Sequence, residues 1–503
     1  MISINRFFFS FFNQFIKFYK STQFYDNKIS KIYSNELVYE PSPYLLSSLI
    51  KYQKKKIKIE DFSVDTIWKQ NNLSQKEFKN LHNFYWFFSL DLKSSKKIIQ
   101  SVISNWINYN KRYNHKSWDF DITAKRIIAW LSCYNLTYKG SNDYYRENFN
   151  YIIQKQTNHL INEINRSEQI DDKLVGCASI ILVGLCYQNK NKYLLFGSSL
   201  LKKITKFTLD NYSFPKSRDI KQLIFYLKYL VLIREWYKES QNNVPEYIEE
   251  TIYYLGQGYA FLSQNIGSSI LFNGNNISNN SNFDNYLKQL GYIFKNKDQN
   301  FGGYTILKNK KMILAMDTGS TPNSKFSENY QAGALSFEII SNGKKLISNC
   351  GYFKKKNSQL NKLSKSSAAQ STLVIDDNSS CEFSKNGKLL LIKKGLKILK
   401  KNIIFKKNHW KINVSHDGYL KKYSSIHERE IEFFPEQMTF SGLDKIIKKT
   451  NHNYKFDIRF HFEPNVKLMK TQDNKTILIE LVDEGWKFTC EKYDINIDNG
   501  LYF

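Results

Sequence analysis

The period at which apolar residues recur changes once along this 503-residue chain, and that change limits the folds open to it. From about Asp91 to Gln264 the apolar residues recur three or four positions apart, which is the spacing of a helix face. From residue 303 to residue 503 they alternate with polar residues, which is the spacing of a strand. The sequence therefore predicts an α+β multidomain protein with helices first and strands after them.

The helical part, residues 91–264, consists of broad apolar helices joined by short polar loops. One predicted helix follows Ser94 or Ser95 as its cap. Its apolar face comprises Ile99, Val102, Ile103, Trp106 and Ile107. Further helices are predicted around residues 149–166, 173–188, 193–209, 220–231 and 245–264. This pattern favours an antiparallel helical array or an incomplete (α/α) toroid, preceded by an N-terminal arm and first helices in residues 1–90.

The strand part, residues 303–503, is predicted to be a large antiparallel β-sandwich. Asn342-Gly343 separates two alternating segments and is typical of a two-residue hairpin turn. Asn386-Gly387 predicts a second tight turn, and an Asn-, Ser- and Gly-rich linker is predicted over residues 265–302. The predicted strands are Lys311–Asp317, Leu335–Ser341, Lys344–Ser348, Leu373–Asp376, Leu389–Ile392, Trp410–Val414, Glu428–Phe434, Phe456–Phe462 and Thr476–Val482.

The formal net charge of +28 favours a polyanionic partner, such as an acidic glycan, a nucleic acid or an anionic membrane. A compositional drift towards lysine is the competing explanation, because only nine of the 74 basic residues are Arg. No nucleic-acid-binding motif is present, so nucleic acid is not the expected partner. The six cysteines are scattered without a CxxC pair and predict no disulfide framework.

The N-terminus contains a phenylalanine-rich run, Phe7 to Phe12, after Arg6. Polar residues interrupt the run at Asn13, Gln14 and Lys17, and no small-residue cleavage site follows. We interpret this stretch as an amphipathic helix or arm that packs on the body of the protein. No run approaches the roughly 20 apolar residues of a membrane span.

Several motifs occur in a consistent order over roughly 400 residues. The helical part has Trp106-Ile107, Trp118 and Ala124-Lys125-Arg126-Ile127-Ile128-Ala129-Trp130-Leu131, then Ser217-Arg218 and Leu271-Phe272-Asn273-Gly274. The strand part has Met316-Asp317-Thr318-Gly319, Asn329 to Glu338, Ser371-Thr372-Leu373-Val374, His416-Asp417-Gly418-Tyr419, Ile426-His427-Glu428-Arg429, Arg459-Phe460-His461 and Gly485-Trp486-Lys487-Phe488. This set resembles the heparinase II/III family of polysaccharide lyases.

The resemblance implies a helical toroid followed by a β-sandwich, and β-elimination on a uronic-acid-containing polysaccharide. It implies a further strand beyond Leu501-Tyr502-Phe503. It also implies the periplasm or cell envelope as location, whereas the missing export signal favours the cytoplasm as the alternative.

β-Elimination needs a group that neutralises the uronate carboxylate, a base for the C5 proton and an acid for the leaving oxygen. His416 and Tyr419 are the candidate base and acid, because a His and a Tyr follow each other closely around Gly418. Asn329 is the candidate neutralising amide. The candidate substrate-binding residues are Arg126, Arg218, Gln331, His427 and Arg429. Structural roles are the alternative for several of them: a structural ion pair for Arg126, an ordinary strand pair for His427 and Arg429, a strand cap for His416 and packing for Tyr419.

The chain departs from the family pattern at positions that line up. It has Asn329-Tyr330-Gln331 where relatives have H-x-H, and Gln331, Asn349 and Gln370 stand where zinc-binding members have His, Asp and His. Neutral amides are poor zinc ligands, so we expect no metal and no cofactor, with an amide network in its place.

These observations predict a polysaccharide lyase-like protein acting on an acidic glycan. One alternative is a non-catalytic or differently catalytic glycan-binding member of the same fold. A second alternative is a basic polyanion-binding protein without enzymatic role.

Overall fold

The computed structural model describes residues 14–32, 36–47, 49, 67–69, 73–89, 95–187, 192–263, 266, 268–277, 280–356, 358–387, 389–450 and 453–503. The predicted Phe7 to Phe12 arm and the Ser94 cap lie outside these residues.

Helices fill the first half of the described chain, and two short ones lie among the strands. They are α1 (Gln23–Ile29), α2 (Pro43–Ser47), α3 (Gln75–His82), α4 (Lys96–Asn110), α5 (Phe120–Ser132), α6 (Tyr134–Thr137), α7 (Asp143–Glu163), α8 (Ile170–Cys186), α9 (Lys192–Thr208), α10 (Ile220–Glu239), α11 (Glu246–Leu262), α12 (Ser281–Gln289), α13 (Gln359–Ser364) and α14 (Leu420–Tyr423). No helix within the described residues is both long enough and apolar enough to cross a membrane.

Antiparallel strands dominate the second half. They are β1 (Asn300–Phe301), β2 (Tyr304–Lys308), β3 (Met312–Asp317), β4 (Phe337–Ser341), β5 (Lys344–Ile347), β6 (Leu373–Ile375), β7 (Glu382–Asn386), β8 (Leu389–Lys394), β9 (Ile398–Lys406), β10 (His409–His416), β11 (Ser425–Phe434), β12 (Thr439–Lys448), β13 (Phe456–Ile458), β14 (Lys467–Lys470), β15 (Thr476–Leu481) and β16 (Glu484–Thr489).

The chain divides into two compact units. Unit 1 comprises Met1–Phe207, Tyr226–Ile252 and Asn282–Leu290, and unit 2 comprises Thr208–Phe225, Tyr253–Ser281 and Gly291–Phe503. The predicted boundaries at residues 90, 264 and 302 remain predictions.

Unit 1 has an aromatic core. The Trp106 and Trp130 rings pack edge to face with centroids 5.5 Å apart, and Phe84 packs against Trp130 at 5.1 Å. All five apolar residues predicted for the face of α4 are buried, and α4 begins after Ser95. The spaced tryptophans of the sequence are therefore core residues, as expected because burying a large aromatic surface is favourable.

Unit 2 contains a five-stranded sheet in the order β1-β2-β3-β4-β5 and a four-stranded sheet in the order β12-β11-β10-β9. A shared core includes Leu314 and Ile339 from the first sheet and Ile412, Ile431 and Phe433 from the second. The pairs β13-β6 and β7-β8 and the three-stranded β14-β15-β16 complete the strands. Two packed antiparallel sheets form the sandwich that alternation predicts.

The structure corrects several local predictions. The predicted linker contains α12, whose Phe283, Tyr286 and Leu287 are buried at helical spacing between polar residues. The strand predicted over Phe456–Phe462 ends at Ile458, because the chain leaves β6 there and its His461 pairs with Ser348 instead.

Candidate functional site

A polar cluster in unit 2 surrounds Asn329, which is half-buried. Its amide Nδ2 donates to Asp219 Oδ2 at 2.7 Å, and its Oδ1 accepts from the Tyr352 hydroxyl at 3.1 Å. Gly274 lies so close that a Cβ there would be 2.9 Å from the Asn329 Cβ, and its φ of +79° also favours glycine. The amide is therefore held in one orientation, and one of its two N–H groups is bonded to Asp219.

Asp219 is placed by the start of α10. Its Oδ1 accepts from the backbone N–H of Lys221 at 2.7 Å and of Gln222 at 3.2 Å, as an N-cap does. Burial raises the pKa of Asp219, while the Asn329 hydrogen bond and these N–H groups oppose that rise. One carboxylate thus caps the helix and fixes the amide.

Two further titratable groups belong to this cluster. Burial lowers the pKa of Lys221 to about 8, helped by the charge of Lys354 and opposed by Asp219. Burial raises the pKa of Tyr352 to about 12, and Asp219 adds to the rise. The cluster therefore combines an amine that is partly neutral near pH 8 with a phenol that stays protonated. Sequence reasoning missed Asp219, Lys221 and Tyr352. Only the adjacency of Asp219 to Arg218, and of Tyr352 to Gly351, marked these stretches.

Arg218 is buried beside the cluster, and its guanidinium donates hydrogen bonds to backbone carbonyls and to a carboxylate. Its Nη2 pairs with Asp317 Oδ1 at 2.5 Å and donates to the Gly303 carbonyl at 2.8 Å. Its Nη1 donates to the carbonyls of Gly319 at 3.1 Å and Ser320 at 3.2 Å. Contact with a uronate would require these bonds to break, so the guanidinium as observed supports the loops around it.

Gln331, which follows Asn329 by two residues in the chain, is also buried. Its Nε2 donates to the carbonyls of Gly351 at 2.8 Å and Ser364 at 2.6 Å, and its Oε1 accepts from Gly274 N at 3.1 Å. Both N–H groups of the amide and its oxygen are therefore used in tying three segments together.

Asn349 and Gln370 bond to other groups rather than to Gln331. Asn349 Nδ2 donates to Glu338 Oε1 at 3.1 Å, and its Oδ1 accepts from Ser371 N at 2.7 Å. Gln370 Nε2 donates to the Ser364 carbonyl at 3.3 Å. The predicted network therefore runs through backbone groups and Glu338, and the described residues show no direct bond among the three amides.

The donor set does not fit zinc. Glu338 forms an ion pair with Lys345 at 3.0 Å, and both side chains are fully buried. The Lys345 ammonium balances the charge of Glu338, the amide nitrogens of Gln331 and Gln370 point at carbonyl oxygens, and that of Asn349 points at Glu338. Within the described residues, no three His, Cys, Asp or Glu side chains lie close enough together to hold a metal ion.

His416 and His427 face each other on neighbouring strands, β10 and β11, and both are buried. Gly418 N–H donates to His416 Nδ1 at 3.0 Å, so the proton of His416 is on Nε2, which lies 3.3 Å from His427 Nδ1. His427 Nε2 then donates to Asp444 Oδ1 at 2.6 Å. This chain of hydrogen bonds is complete with both rings neutral. Burial lowers the pKa of both rings and the Arg429 charge acts in the same direction, whereas Asp444 opposes the fall at His427.

Arg429 closes this cluster from the same face of β11 as His427. Its Nε and Nη2 pair with the two oxygens of Asp444 at 2.8 Å and 2.9 Å, and its Nη1 donates to the Leu335 and Ser371 carbonyls. Burial alone would raise the pKa of Asp444, but Arg429 and His427 hold it well below its usual range. The His416 cluster, which comprises His416, His427, Arg429 and Asp444, is thus a closed buried network.

Tyr419 lies after the His416 strand and is buried. Its hydroxyl donates to the Leu373 carbonyl at 2.8 Å, and burial raises its pKa. Its ring centroid is 5.8 Å from that of His416. The structure therefore brings His416, Tyr419, His427 and Arg429 together, but as interior residues.

Arg126 lies in the core of unit 1, and no carboxylate in the described part of the chain pairs with it. It donates to Gln156 at 3.1 Å and to the carbonyls of His82 and Ser117 at 3.0 Å and 2.9 Å. Its guanidinium lies 4.1 Å from the Trp106 ring centroid. Packing and hydrogen-bond acceptors hold this guanidinium in place. The structural role expected from the sequence as the alternative to substrate binding was an ion pair.

Comparison with known proteins gives the wider context. Residues 296–503 match the family model described as Heparinase II/III-like, C-terminal. The chain is similar in structure to heparinase III, with a TM-score of 0.64 and 14% identity over 88% of this chain and 75% of that one. It is also similar to the heparan sulfate lyase HepC of Pedobacter heparinus, with a TM-score of 0.57 and 12% identity over 82% of this chain and 70% of that one. No curated protein sequence matches. The predicted fold class, a helical toroid followed by an antiparallel β-sandwich, is confirmed.

Proposed function

This chain is a heparinase II/III family protein through its domain at residues 296–503, and we propose that it cleaves an acidic, uronic-acid-containing polysaccharide by β-elimination. The reacting region is the Asn329 cluster, which comprises Asn329, Tyr352, Asp219 and Lys221. The polysaccharide lyase-like fold gives the reaction class, and the cluster gives the residues that carry it.

The observation that carries the proposal is the fixed amide of Asn329. Among the described residues its Nδ2 has one partner, Asp219 at 2.7 Å, and its Oδ1 accepts from the Tyr352 hydroxyl. The second N–H is available to a carboxylate of the substrate. A hydrogen bond that strengthens as charge moves onto that carboxylate lowers the barrier to loss of the C5 proton.

The proton transfers then fall to the two titratable groups. Lys221, with its pKa lowered to about 8, takes the C5 proton as a neutral amine. The electron pair of the C5–H bond forms the C4–C5 double bond, and the C4–O4 bond breaks. Tyr352, with its pKa raised to about 12, gives its proton to the leaving oxygen. Lys221 later releases its proton to solvent, and Tyr352 takes one up.

The test is an ultraviolet assay for the unsaturated uronate on heparan sulfate, chondroitin sulfate, hyaluronan, alginate and polygalacturonate. We expect product from at least one of them. Tyr352→Phe should lower kcat about 10²- to 10⁴-fold. Tyr212→Phe, at a tyrosine that is 67% exposed in the same unit, is the matched control and should leave kcat unchanged. Activity that is equal in both variants would remove Tyr352 from the reaction.

A glycan-binding role without cleavage is the second candidate, because the His and Tyr predicted as base and acid are interior residues. Under this alternative the protein binds an immobilised acidic glycan in a salt-sensitive manner, as its net charge of +28 favours, and yields no unsaturated product. Salt-sensitive binding to DNA or RNA with no glycan binding would instead support the basic polyanion-binding protein.

The same family membership supports a location in the periplasm or cell envelope. Cell fractionation with antibodies against the protein tests it, and recovery in the cytoplasmic fraction alone would contradict it.

A further inference from the structure

Three phenylalanine side chains stand out from the surface of unit 1 near its N-terminus. Phe15, Phe18 and Phe24 are 60%, 69% and 71% exposed. Residues 14–21 are helical, and Phe24 belongs to α1 directly after them. Isolated exposed apolar residues are common, but three large aromatic side chains within ten residues form a surface that a soluble protein usually covers.

The opposite side of this segment is firmly attached to unit 1. The Tyr25 hydroxyl bonds to His159 Nδ1 at 2.7 Å, and Asn158 Nδ2 donates to the Ile29 and Lys31 carbonyls, each at 2.8 Å. Lys20 pairs with Glu163. The outward phenylalanines are therefore held on an anchored segment and cannot turn inward without breaking these bonds.

The charges around the three rings are positive. Lys17, Lys28 and Lys31 are exposed on the same segment. Asp26 is its one acidic residue between 14 and 32, and it pairs with Lys155 at 2.7 Å. The surface defined by Phe15, Phe18, Phe24, Lys17, Lys28 and Lys31, here called the Phe–Lys surface, thus combines apolar rings with lysines that pair with no carboxylate among the described residues.

We propose that the Phe–Lys surface docks the protein on an anionic lipid membrane. Aromatic rings that insert at the boundary between headgroups and acyl chains, next to lysines that attract anionic lipids, are the physical basis of interfacial membrane binding. An anionic lipid surface satisfies both parts of the Phe–Lys surface, whereas a second copy of this basic chain would bring like charges together. This interaction is independent of the reaction proposed for unit 2.

The test is co-flotation of the full chain with vesicles of phosphatidylcholine alone or of an equimolar mixture with phosphatidylglycerol. We expect binding to the anionic vesicles that weakens as salt is added, and much weaker binding to phosphatidylcholine. Replacing the three phenylalanines by Ser should reduce partitioning at least about 30-fold. Replacing Lys17, Lys28 and Lys31 by Gln should reduce it on anionic vesicles about 100-fold, but little on neutral ones.

The matched control replaces three other exposed apolar residues by Ser: Tyr144, Leu195 and Ile293, which are 78%, 66% and 79% exposed. This variant should bind like the wild type, and circular dichroism should show that all variants are folded. Equal partitioning of both triple variants, or no binding of the wild type to anionic vesicles, would overturn the proposal. So would a concentration-dependent dimer in light scattering that only the Phe→Ser variant loses, because the surface would then bind a second copy.

Discussion

Replacing Asp444 by Asn is the sharpest test of the buried His416 cluster. The Asp444 carboxylate accepts from Arg429 Nε at 2.8 Å, from Arg429 Nη2 at 2.9 Å and from His427 Nε2 at 2.6 Å. An Asn can place its oxygen at only one of the two oxygen positions. If it keeps the oxygen shared by His427 and Arg429 Nε, its NH₂ group faces Arg429 Nη2, and two donors meet.

The magnitude follows from the burial of the pair. The side chains of Arg429 and Asp444 are 2% and 10% exposed, so solvent cannot replace the lost carboxylate. Removing one partner of a buried ion pair costs about 3 to 5 kcal/mol, because the other charge stays buried without compensation. With a urea m-value of about 3 kcal/mol/M, the unfolding midpoint of unit 2 should fall by about 1 to 1.7 M.

The assay is urea unfolding followed by tryptophan fluorescence, since Trp410 is buried in the same sheet. Asp457→Asn is the matched control, because Asp457 pairs with Arg459 at 3.1 Å while its side chain is 60% exposed. That change should cost less than about 1 kcal/mol. If Asp444→Asn costs no more than Asp457→Asn, the cluster does not stabilise the sheet as argued.

Two further predictions concern stability. Burial lowers the pKa of His82 to about 3 and of His159 and His461 to about 4, and it also lowers those of His416 and His427. In the unfolded chain these histidines bind a proton at about pH 6.5, whereas in the folded protein they stay neutral to a lower pH. The free energy of unfolding should therefore be highest above pH 6.5 and fall as the pH drops towards 4, by up to about 1.4 kcal/mol per pH unit for each His. Melting curves from pH 7.5 to 4.5 check this, and a flat profile would contradict it. Gly319→Ala would place a Cβ 2.5 Å from Arg218 Cζ and should cost about 1 to 3 kcal/mol, whereas Gly442→Ala, with open space around its Cβ, should not destabilise; urea unfolding of both variants compares them.

Local sequence patterns predicted the elements in which one face is buried and the other exposed. The helix over residues 96–110 buries the five apolar residues expected of it. The Asn342-Gly343 turn has φ of +45° and +80°, and Ser341 pairs with Lys344 across it. In both places the pattern reflects a local requirement, which is burial of one face in the helix and a positive φ in the turn. The nearby residues alone are therefore sufficient to predict the element.

Strands β9 and β12 were missed for a physical reason. They are the edge strands of the four-stranded sheet, and most of their residues are exposed or half-buried. Lysines and other polar residues therefore interrupt any alternation. The second predicted turn differs in one respect: Asn386 is the last residue of β7 and pairs with Leu389, and Gly387 follows it in a turn.

The site was less predictable because its contacts are long-range. Arg218 and Asp219 are adjacent, yet Arg218, with a φ of +60°, reaches Asp317, while Asp219 reaches Asn329. The residues near Asn329 do not predict that its side chain contacts a carboxylate 110 positions earlier in the chain. In the same way, His416 and Tyr419 have the residue types of a base and an acid, but only the folded sheet determines that they are buried.

The hydrogen bonds of Gln331 and Asn349 have a consequence for the proposed reaction. Gln331 ties the segments at Gly274, Gly351 and Ser364 together through neutral hydrogen bonds. Asn349 donates to Glu338, whose negative charge is balanced by the buried Lys345. These bonds lie next to the Asn329 cluster in the chain, since Gln331 follows Asn329 by two residues and Tyr352 follows Gly351. Among the described residues, the Asn329 amide is fixed by its hydrogen bonds to Asp219 and Tyr352 and by its contact with Gly274. It follows that lyase activity, where the ultraviolet assay detects it, should be retained after prolonged treatment with a chelator, because the buried amides and the lysine already make the contacts that hold these segments.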